Sequence, residues 1–228
     1  KIENKICLND KGKEKKKRVF WIIFGILILL WMPYILTYFP GGIFSDTQVS
    51  IKQCIHMLQY DNKNPIAYTF LIKICLAVGD IFNSSQVGID VFGICQITIM
   101  AGILSYFIYW LYKKNFSNTV LVLITLFFGI FKLIPMYALS IWKDTPYCLA
   151  LFLYMLNIAE IVYQDGKNLN TVKEMIIYSV LFIAVAFLRN NGLYVAIATT
   201  ILILLVYRKK KIWKFTISSI ATIILVLI

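Results

Sequence analysis

The sequence predicts an all-α integral membrane protein, a polytopic bundle of about seven transmembrane helices with surface-lying helices in its first outer loop. Three observations predict it. Apolar residues make up 60% of the 228 residues and charged residues only 15%, with a mean hydropathy of +0.78. A soluble domain of this size has too little polar surface to cover such a composition. Apolar runs recur along the whole chain, and several approach the roughly 20 residues that a helix needs to span hydrocarbon. The runs are continuous, as at residues 19–39, rather than alternating at period two, which selects helices over a barrel.

The net charge of +12 does not point to nucleic acid. The basic residues sit in short clusters at the ends of apolar runs, at residues 11–18, at Lys113 and Lys114, and at residues 208–211. That is the pattern of cytoplasmic anchoring and anionic lipid contact. The five cysteines are odd in number, scattered and free of any CxxC or Cys/His spacing. They are read as small apolar fillers, not as a metal or disulfide framework. The N-terminal basic and apolar stretches resemble a signal peptide, but the apolar run is too long and no small-residue cleavage site follows. Residues 1–18 are therefore a cytoplasmic basic leader and residues 19–228 a single transmembrane domain. The chain starts without Met and stops inside an apolar run at Ile228, so a fragment of a longer protein is expected.

The basic leader places the N-terminus inside, and residues 19–39 cross outward. Pro40-Gly41-Gly42 ends that span and opens an outer loop over 40–86. The apolar run 65–82 poses a decision. If it spans, Lys113 and Lys114 are stranded outside, and Lys73 falls near mid-bilayer at a cost on the order of 3 kcal/mol. If it lies along the outer surface, every basic cluster falls inside, and that reading is adopted. Spans then follow at 87–112, 119–139, 146–163, 174–188, 193–207 and from 215 onward. Short outer turns at 140–145 and 189–192 separate them from inner turns at 113–118, 164–173 and 208–214.

The outer loop carries two helices. Ser45 or Asp46 is placed to cap the first. In it Ile51, Cys54, Ile55 and Leu58 form an apolar stripe, with Lys52, His56 and Gln59 opposite, as expected of an interfacial helix with its apolar side in lipid. The second starts at Pro65, with Asn64 as its cap.

Few polar residues remain for chemistry, and those near the outer boundary stand out. Asp46 reads either as a general base or metal ligand or as a helix cap. Lys143 and Asp144, in Trp142-Lys143-Asp144-Thr145-Pro146, are forced to the bundle rim by a short loop, as reactive groups or as a local ion pair and cap. Arg189, in Leu188-Arg189-Asn190-Asn191-Gly192, suits bidentate phosphate binding or is a snorkelling span end. Lys132, inside a predicted span, is functional or snorkels outward. His56 is expected to face solvent. Trp31, Tyr34, Tyr38, Trp110, Tyr112 and Trp142 are read as an aromatic belt. Asp46, Asp144 and Arg189 come from three outer turns on one face, an arrangement able to handle an anionic lipid headgroup.

On these residues the chain resembles the GT-C class of membrane glycosyltransferases, and more closely a set of poorly characterised bacterial GT-C-like proteins. The resemblance runs from the first span to about residue 207. It rests on Asp46 in Phe-Ser-Asp-Thr, on the Pro-led helix Asn64-Pro65-Ile66-Ala67-Tyr68-Thr69, on Asp144 in Trp-Lys-Asp-Thr-Pro and on Arg189 in Leu-Arg-Asn-Asn-Gly. The chain departs from the class in having a single proline after Asn64, and the class's large soluble C-terminal domain is not among these residues, as expected of a truncated chain or of a minimal member. The resemblance implies a multi-pass enzyme of the cell membrane and cell envelope. It would use a polyprenyl-phosphate or polyprenyl-pyrophosphate sugar, with a glycan, lipid or protein acceptor and no nucleic acid. Asp46 is implied as base, and Arg189 with Lys143 or Lys63 as phosphate ligands. Asp144 is implied to orient the acceptor or, with Asp46, to hold a divalent cation. The alternatives are a lipid-linked saccharide transporter or flippase, suggested by Lys132, and a non-catalytic membrane subunit.

Overall fold

The computed structural model describes residues 2–59, 65–210 and 212–227, with side chains from Arg18 onward. Among the described residues it is all-helical, without a strand. In chain order the helices are α1 (Ile2–Tyr38), α2 (Ser45–Cys54), α3 (Ile66–Ile81), α4 (Ser85–Lys113), α5 (Asn118–Ile130), α6 (Leu133–Leu139), α7 (Asp144–Tyr163), α8 (Val172–Leu188), α9 (Gly192–Val206) and α10 (Trp213–Leu227). Three are long and apolar enough to cross a membrane: the Arg18–Tyr38 part of α1, α4 and α7. Helices α5 and α6, bent by 56° at their junction, make a fourth if the pair is one broken span and not a re-entrant loop. This is consistent with a membrane protein. Helices α8, α9 and α10 have 17, 15 and 15 residues. At 1.5 Å per residue they reach about 22–26 Å, short of a hydrocarbon core of about 30 Å.

Most helix ends fall within two residues of the predicted ones. Helix α1 begins at Ile2, well before residue 19, and the run 119–139, expected as one span, breaks at Phe131 and Lys132. Pro135 is the reason for the break. Within a continuous helix its ring would collide with the carbonyl of Phe131, four residues back, and it offers no N–H to that carbonyl. Phe131 is extended (ψ 103°) and its carbonyl accepts from Ile134 N–H instead. Lys132 therefore lies exposed at the break between the two helices.

The chain forms two compact units, one of residues 1–42 and 79–141, the other of residues 43–78 and 142–228. In the first, α1, α4, α5 and α6 pack around Leu27, Trp31, Ala101 and Ile108, all fully buried. Trp31 is thus a core residue and not part of an aromatic belt; its Nε1–H donates to the Phe128 carbonyl at 3.1 Å. Gln96 on α4 donates its amide to the carbonyls of Ala138 (2.9 Å) and Ser140 (2.7 Å), so a side chain satisfies the carbonyls at the end of α6. The turn after α1 is held close by. Gly41 has φ +113°, and Ile141 N–H donates to the Gly42 carbonyl at 3.0 Å.

In the second unit α7, α8, α9 and α10 pack around Tyr154, Tyr178, Phe182, Val185, Ala196 and Phe215. A polar seam runs through this core. The Tyr154 hydroxyl pairs with those of Tyr178 (2.7 Å) and Thr199 (2.6 Å), and Tyr178 pairs with Thr200 (2.8 Å). Large apolar side chains such as Ile176, Val180, Leu202 and Leu205 point outward. Near the start of α8 the buried Glu174 accepts the Asn157 amide at 2.5 Å. Asn157→Leu removes that donor from a buried carboxylate, and a loss of about 1–3 kcal/mol is expected. Thermal unfolding in detergent measures it, and a change within error would show that Glu174 does not depend on Asn157. At that end of the unit Lys210 pairs with Asp165 at 2.5 Å and holds its carboxyl below the usual carboxylate range.

Helix α2 differs from its expected form in two ways. It ends at Cys54, so Ile55 and Leu58 lie beyond it, with His56 in the left-handed region at φ 59°. Its buried face is the polar one, Thr47, Ser50 and Gln53 with Cys54, while Ile55, Met57 and Leu58 are exposed. Polar residues turned inward find partners there. Thr47 Oγ1 pairs with Tyr68 hydroxyl at 3.0 Å, Thr69 Oγ1 donates to Ser50 Oγ at 3.4 Å, and Cys54 Sγ donates to the Thr69 carbonyl at 3.3 Å.

Candidate functional site

Asp46, Lys143, Asp144 and Arg189 all fall in the second unit and meet as two ion pairs. Asp46 lies in the first turn of α2, yet neither it nor Ser45 caps that helix; the N-cap position is Phe44. The Asp46 carboxylate pairs instead with Lys143 Nζ at 2.8 Å. Lys143 is the N-cap residue of α7, and Asp144 is that helix's first residue, in the turn where the macrodipole favours a negative charge. Asp144 pairs with Arg189 Nη1 at 3.3 Å. The segments carrying Asp46 and Lys143 are also held by stacked rings. Phe44 and Trp142 lie 5.4 Å apart at 29°.

Two contacts fix Arg189 besides its ion pair with Asp144. Its guanidinium lies over the Tyr147 ring at 5.3 Å, and the turn that carries it is closed by Gly192 N–H donating to the Arg189 carbonyl at 2.8 Å. Only glycine fits at 192. A Cβ there would lie 1.9 Å from the Val185 carbonyl oxygen and 3.1 Å from the Tyr147 ring. The close approach of α9 to α8 thus sets the place of Arg189, Asn190 and Asn191.

A cavity of about 220 Å³ opens between these residues, lined by Pro65, Lys143, Asp144, Leu188, Arg189, Asn190 and Asn191. Asp144, Arg189 and Lys143 line it, as the sequence led one to expect. Asp46 is not among its lining residues but reaches it through Lys143. Pro65 is the residue just before α3, one position earlier than the first helical place expected of it; its carbonyl accepts from Tyr68 N–H at 3.0 Å. Lys63 and Asn64 lie outside the described residues. His56 is exposed beyond α2, as expected, and Lys132 belongs to the first unit.

Tyr68 was not legible in the sequence as part of this group. It is fully buried, and its hydroxyl pairs with Thr47, the residue after Asp46. Burial pushes its phenol well above the ordinary tyrosine value; the Thr47 hydrogen bond opposes this, and the charges of Asp46 and Asp144 add to it. Tyr68 therefore stays a neutral hydroxyl and cannot serve as a base near neutral pH.

The Asp46 and Arg189 side chains are about half exposed, at 44% and 46%, and their partners 23% each. Ion pairs this accessible contribute about 0–1 kcal/mol to stability, so the array is not there to hold the fold. A divalent cation between Asp46 and Asp144 does not fit the residues. Each carboxylate already holds a cationic side chain, and among the described residues no group of three or more His, Cys, Asp or Glu gathers. The cavity lining thus combines two cationic residues, two asparagines and a carboxylate, residue types suited to an anionic ligand.

No curated protein and no solved structure matches the chain. A family model matches residues 55–228, which take in Lys143, Asp144 and Arg189 but begin after Asp46. That match covers well over half of the sequence, and the chain belongs to the family of unknown function DUF6020.

Proposed function

We propose that the chain is a membrane glycosyltransferase of the GT-C type, moving a sugar from a polyprenyl-phosphate or polyprenyl-pyrophosphate donor to an acceptor hydroxyl at the outer face of the cell membrane. The observation that carries the reading is the linked charge array, Asp46 with Lys143 at 2.8 Å and Asp144 with Arg189 at 3.3 Å, around one cavity. In this reading the chain makes about seven crossings with its N-terminus inside, α2 and α3 lying on the outer surface.

The chemistry divides among the residues as follows. The acceptor oxygen attacks the anomeric carbon as its proton passes to Asp46. The bond from that carbon to the phosphate oxygen breaks, and the electron pair leaves with the phosphate. The sugar passes through an oxocarbenium-like state. Arg189 and Lys143 stabilise the charge that grows on the leaving phosphate, while Asp144 orients Arg189. A base without a carboxylate nucleophile gives inversion at the anomeric carbon.

Asp46→Asn tests the assignment. Loss of general-base catalysis should lower transfer about a hundredfold or more with thermal unfolding unchanged. Transfer within threefold of the unaltered chain would sink the role of Asp46.

One observation favours a second reading, transport of a lipid-linked saccharide. The break between α5 and α6 at Lys132 puts an ionisable residue at an interrupted helix, a hallmark of transporters. Flux through reconstituted vesicles that vanishes in Lys132→Met and survives in Asp46→Asn would favour it over the transferase.

A further inference from the structure

A groove of about 580 Å³ runs between α8 and α10 on the surface of the second unit, apart from the charged cavity. Its lining is apolar except for Ser179, Ser218 and Lys214. Side-chain size makes the furrow. The Ser179 and Ser218 hydroxyls lie 3.5 Å apart, and Thr222 Oγ1 donates to Ser179 Oγ at 2.8 Å. These short side chains turn to one another, while Ile176, Val180 and Ile217 around them stand 58% exposed. What the groove offers along its length is therefore apolar contact.

The groove also has a direction. Tyr178 packs on Phe215 at 4.9 Å and Ser179 meets Ser218, so α8 and α10 run side by side with their first residues at the same end. That end is basic. Lys214 lines the groove there, its ammonium 5.8 Å from the centre of the Trp213 ring. Lys173 in the first turn of α8 and Arg208 and Lys209 in the turn before α10 are exposed. Trp213 is exposed as well, as interfacial tryptophans are. On α8 the lining runs from Val172 to Ile183, a rise of about 16 Å, close to half of a hydrocarbon core of about 30 Å. The groove thus has the length of one leaflet, with an apolar run and a cationic mouth.

We propose that this groove holds one acyl chain of an anionic phospholipid, with the lipid's phosphate against Lys214. The single charge of a phosphodiester suffices, because its complement is one ammonium among basic neighbours. Charge selects this occupant. A neutral lipid brings no anion to Lys214, and a second copy of the chain in the same orientation would set its basic turns against these. The site is separate from the charged cavity: Val172 and Arg189 stand at opposite ends of α8, about 25 Å apart. It holds whether or not the chain transfers sugar.

Brominated lipids test it, since bromine on an acyl chain quenches a neighbouring indole. The full chain in phosphatidylcholine nanodiscs is titrated with brominated phosphatidylglycerol or brominated phosphatidylcholine. Subtracting Trp213→Phe isolates the Trp213 signal from the other tryptophans. Half-quenching should need about fivefold less phosphatidylglycerol than phosphatidylcholine. Lys214→Met should bring the two lipids within about twofold of each other. Lys209→Gln, which removes the same charge from the surface outside the groove, should leave a preference of about threefold or more. Ser218→Leu fills the furrow and should abolish the preference although Lys214 remains.

Equal quenching by the two lipids in the unaltered chain overturns the anionic occupant. Equal losses in Lys214→Met and Lys209→Gln mark diffuse attraction to the basic turns and overturn the site. A preference that survives Ser218→Leu, with thermal unfolding unchanged, puts the headgroup at Lys214 without a chain in the groove and overturns it too. A Trp213 signal quenched by neither lipid shows the groove covered by protein, as by a second copy, and overturns the lipid. Lys214→Met decides alone if Ser218→Leu does not fold.

Discussion

Under the proposed glycosyl transfer, Arg189→Lys should lower the rate about a hundredfold or more, although it keeps the positive charge. The reason is shape. The guanidinium sits between the Asp144 carboxylate, 3.3 Å from Nη1, and the Tyr147 ring, 5.3 Å from Cζ. A lysine at the same place offers a point charge without a planar fork, so it neither stacks on Tyr147 in the same way nor presents two parallel donors to a phosphate. Losing one well-placed donor to a developing oxyanion costs about 10²–10³ in rate. Stability should change little, because a pair with Arg189 46% exposed contributes about 1 kcal/mol at most. Single-turnover transfer from polyprenyl-phosphate sugars, read beside thermal unfolding, checks both parts. A rate within threefold would remove Arg189 from the machinery.

The largest effect on stability is expected at Gly41. A Cβ there would lie 1.6 Å from the Leu139 carbonyl oxygen, a backbone atom that cannot rotate away. The residue also has φ +113°, where a side chain is strained. Strain of this kind costs about 1–3 kcal/mol, and the steric conflict adds to it, so Gly41→Ala should cost about 3 kcal/mol or more. Gly25 and Gly102 are the controls. Both lie inside helices with nothing within 4 Å of an added Cβ. Alanine there should be neutral or gain about 0.5–1 kcal/mol from helix propensity. Unfolding in mixed micelles titrated with a denaturing detergent ranks the three. Similar values for Gly41 and Gly25 would show that the turn relaxes without cost.

Much of the helix order was legible in the sequence, because apolar runs and terminal charges are coarse signals. The helix expected over 65–82 emerges as α3 over Ile66–Ile81, and the last four helices start within two residues of their expected places. The break before α6 is equally readable, since Pro135 forbids a continuous helix four residues upstream. Sidedness of packing was not readable. Thr47, Ser50 and Gln53 face inward while Met57 and Leu58 face out, and Tyr154, Tyr178 and Thr200 line a core. An apolar stripe identifies the buried face only when the surroundings are water. With apolar surroundings the polar stripe has the stronger need for a partner, and the rule inverts.

The site was half legible. Asp46, Lys143, Asp144 and Arg189 were selected because short loops force charge to the rim, and the fold joins them. Which cation takes which carboxylate was beyond sequence, because Lys143 and Asp144 are neighbours that turn to different partners. Tyr147 and Tyr68 carry no signal of their own among 14 tyrosines.

The ion pairs also act as a parity check on threading. Two residues that touch lie on the same side of a bilayer, so the chain between them crosses an even number of times. Asp144 touches Arg189 with α7 and α8 between them, and Asp165 touches Lys210 with α8 and α9 between them. If α7 crosses, α8 must cross, and then so must α9, short as they are. Asp46 touches Lys143, with α2, α3, α4 and the bent α5–α6 pair between. Helix α2, at ten residues, reaches only about 15 Å and cannot cross. If α4 and the bent pair each cross once, the count is already even, and α3 is left on the surface.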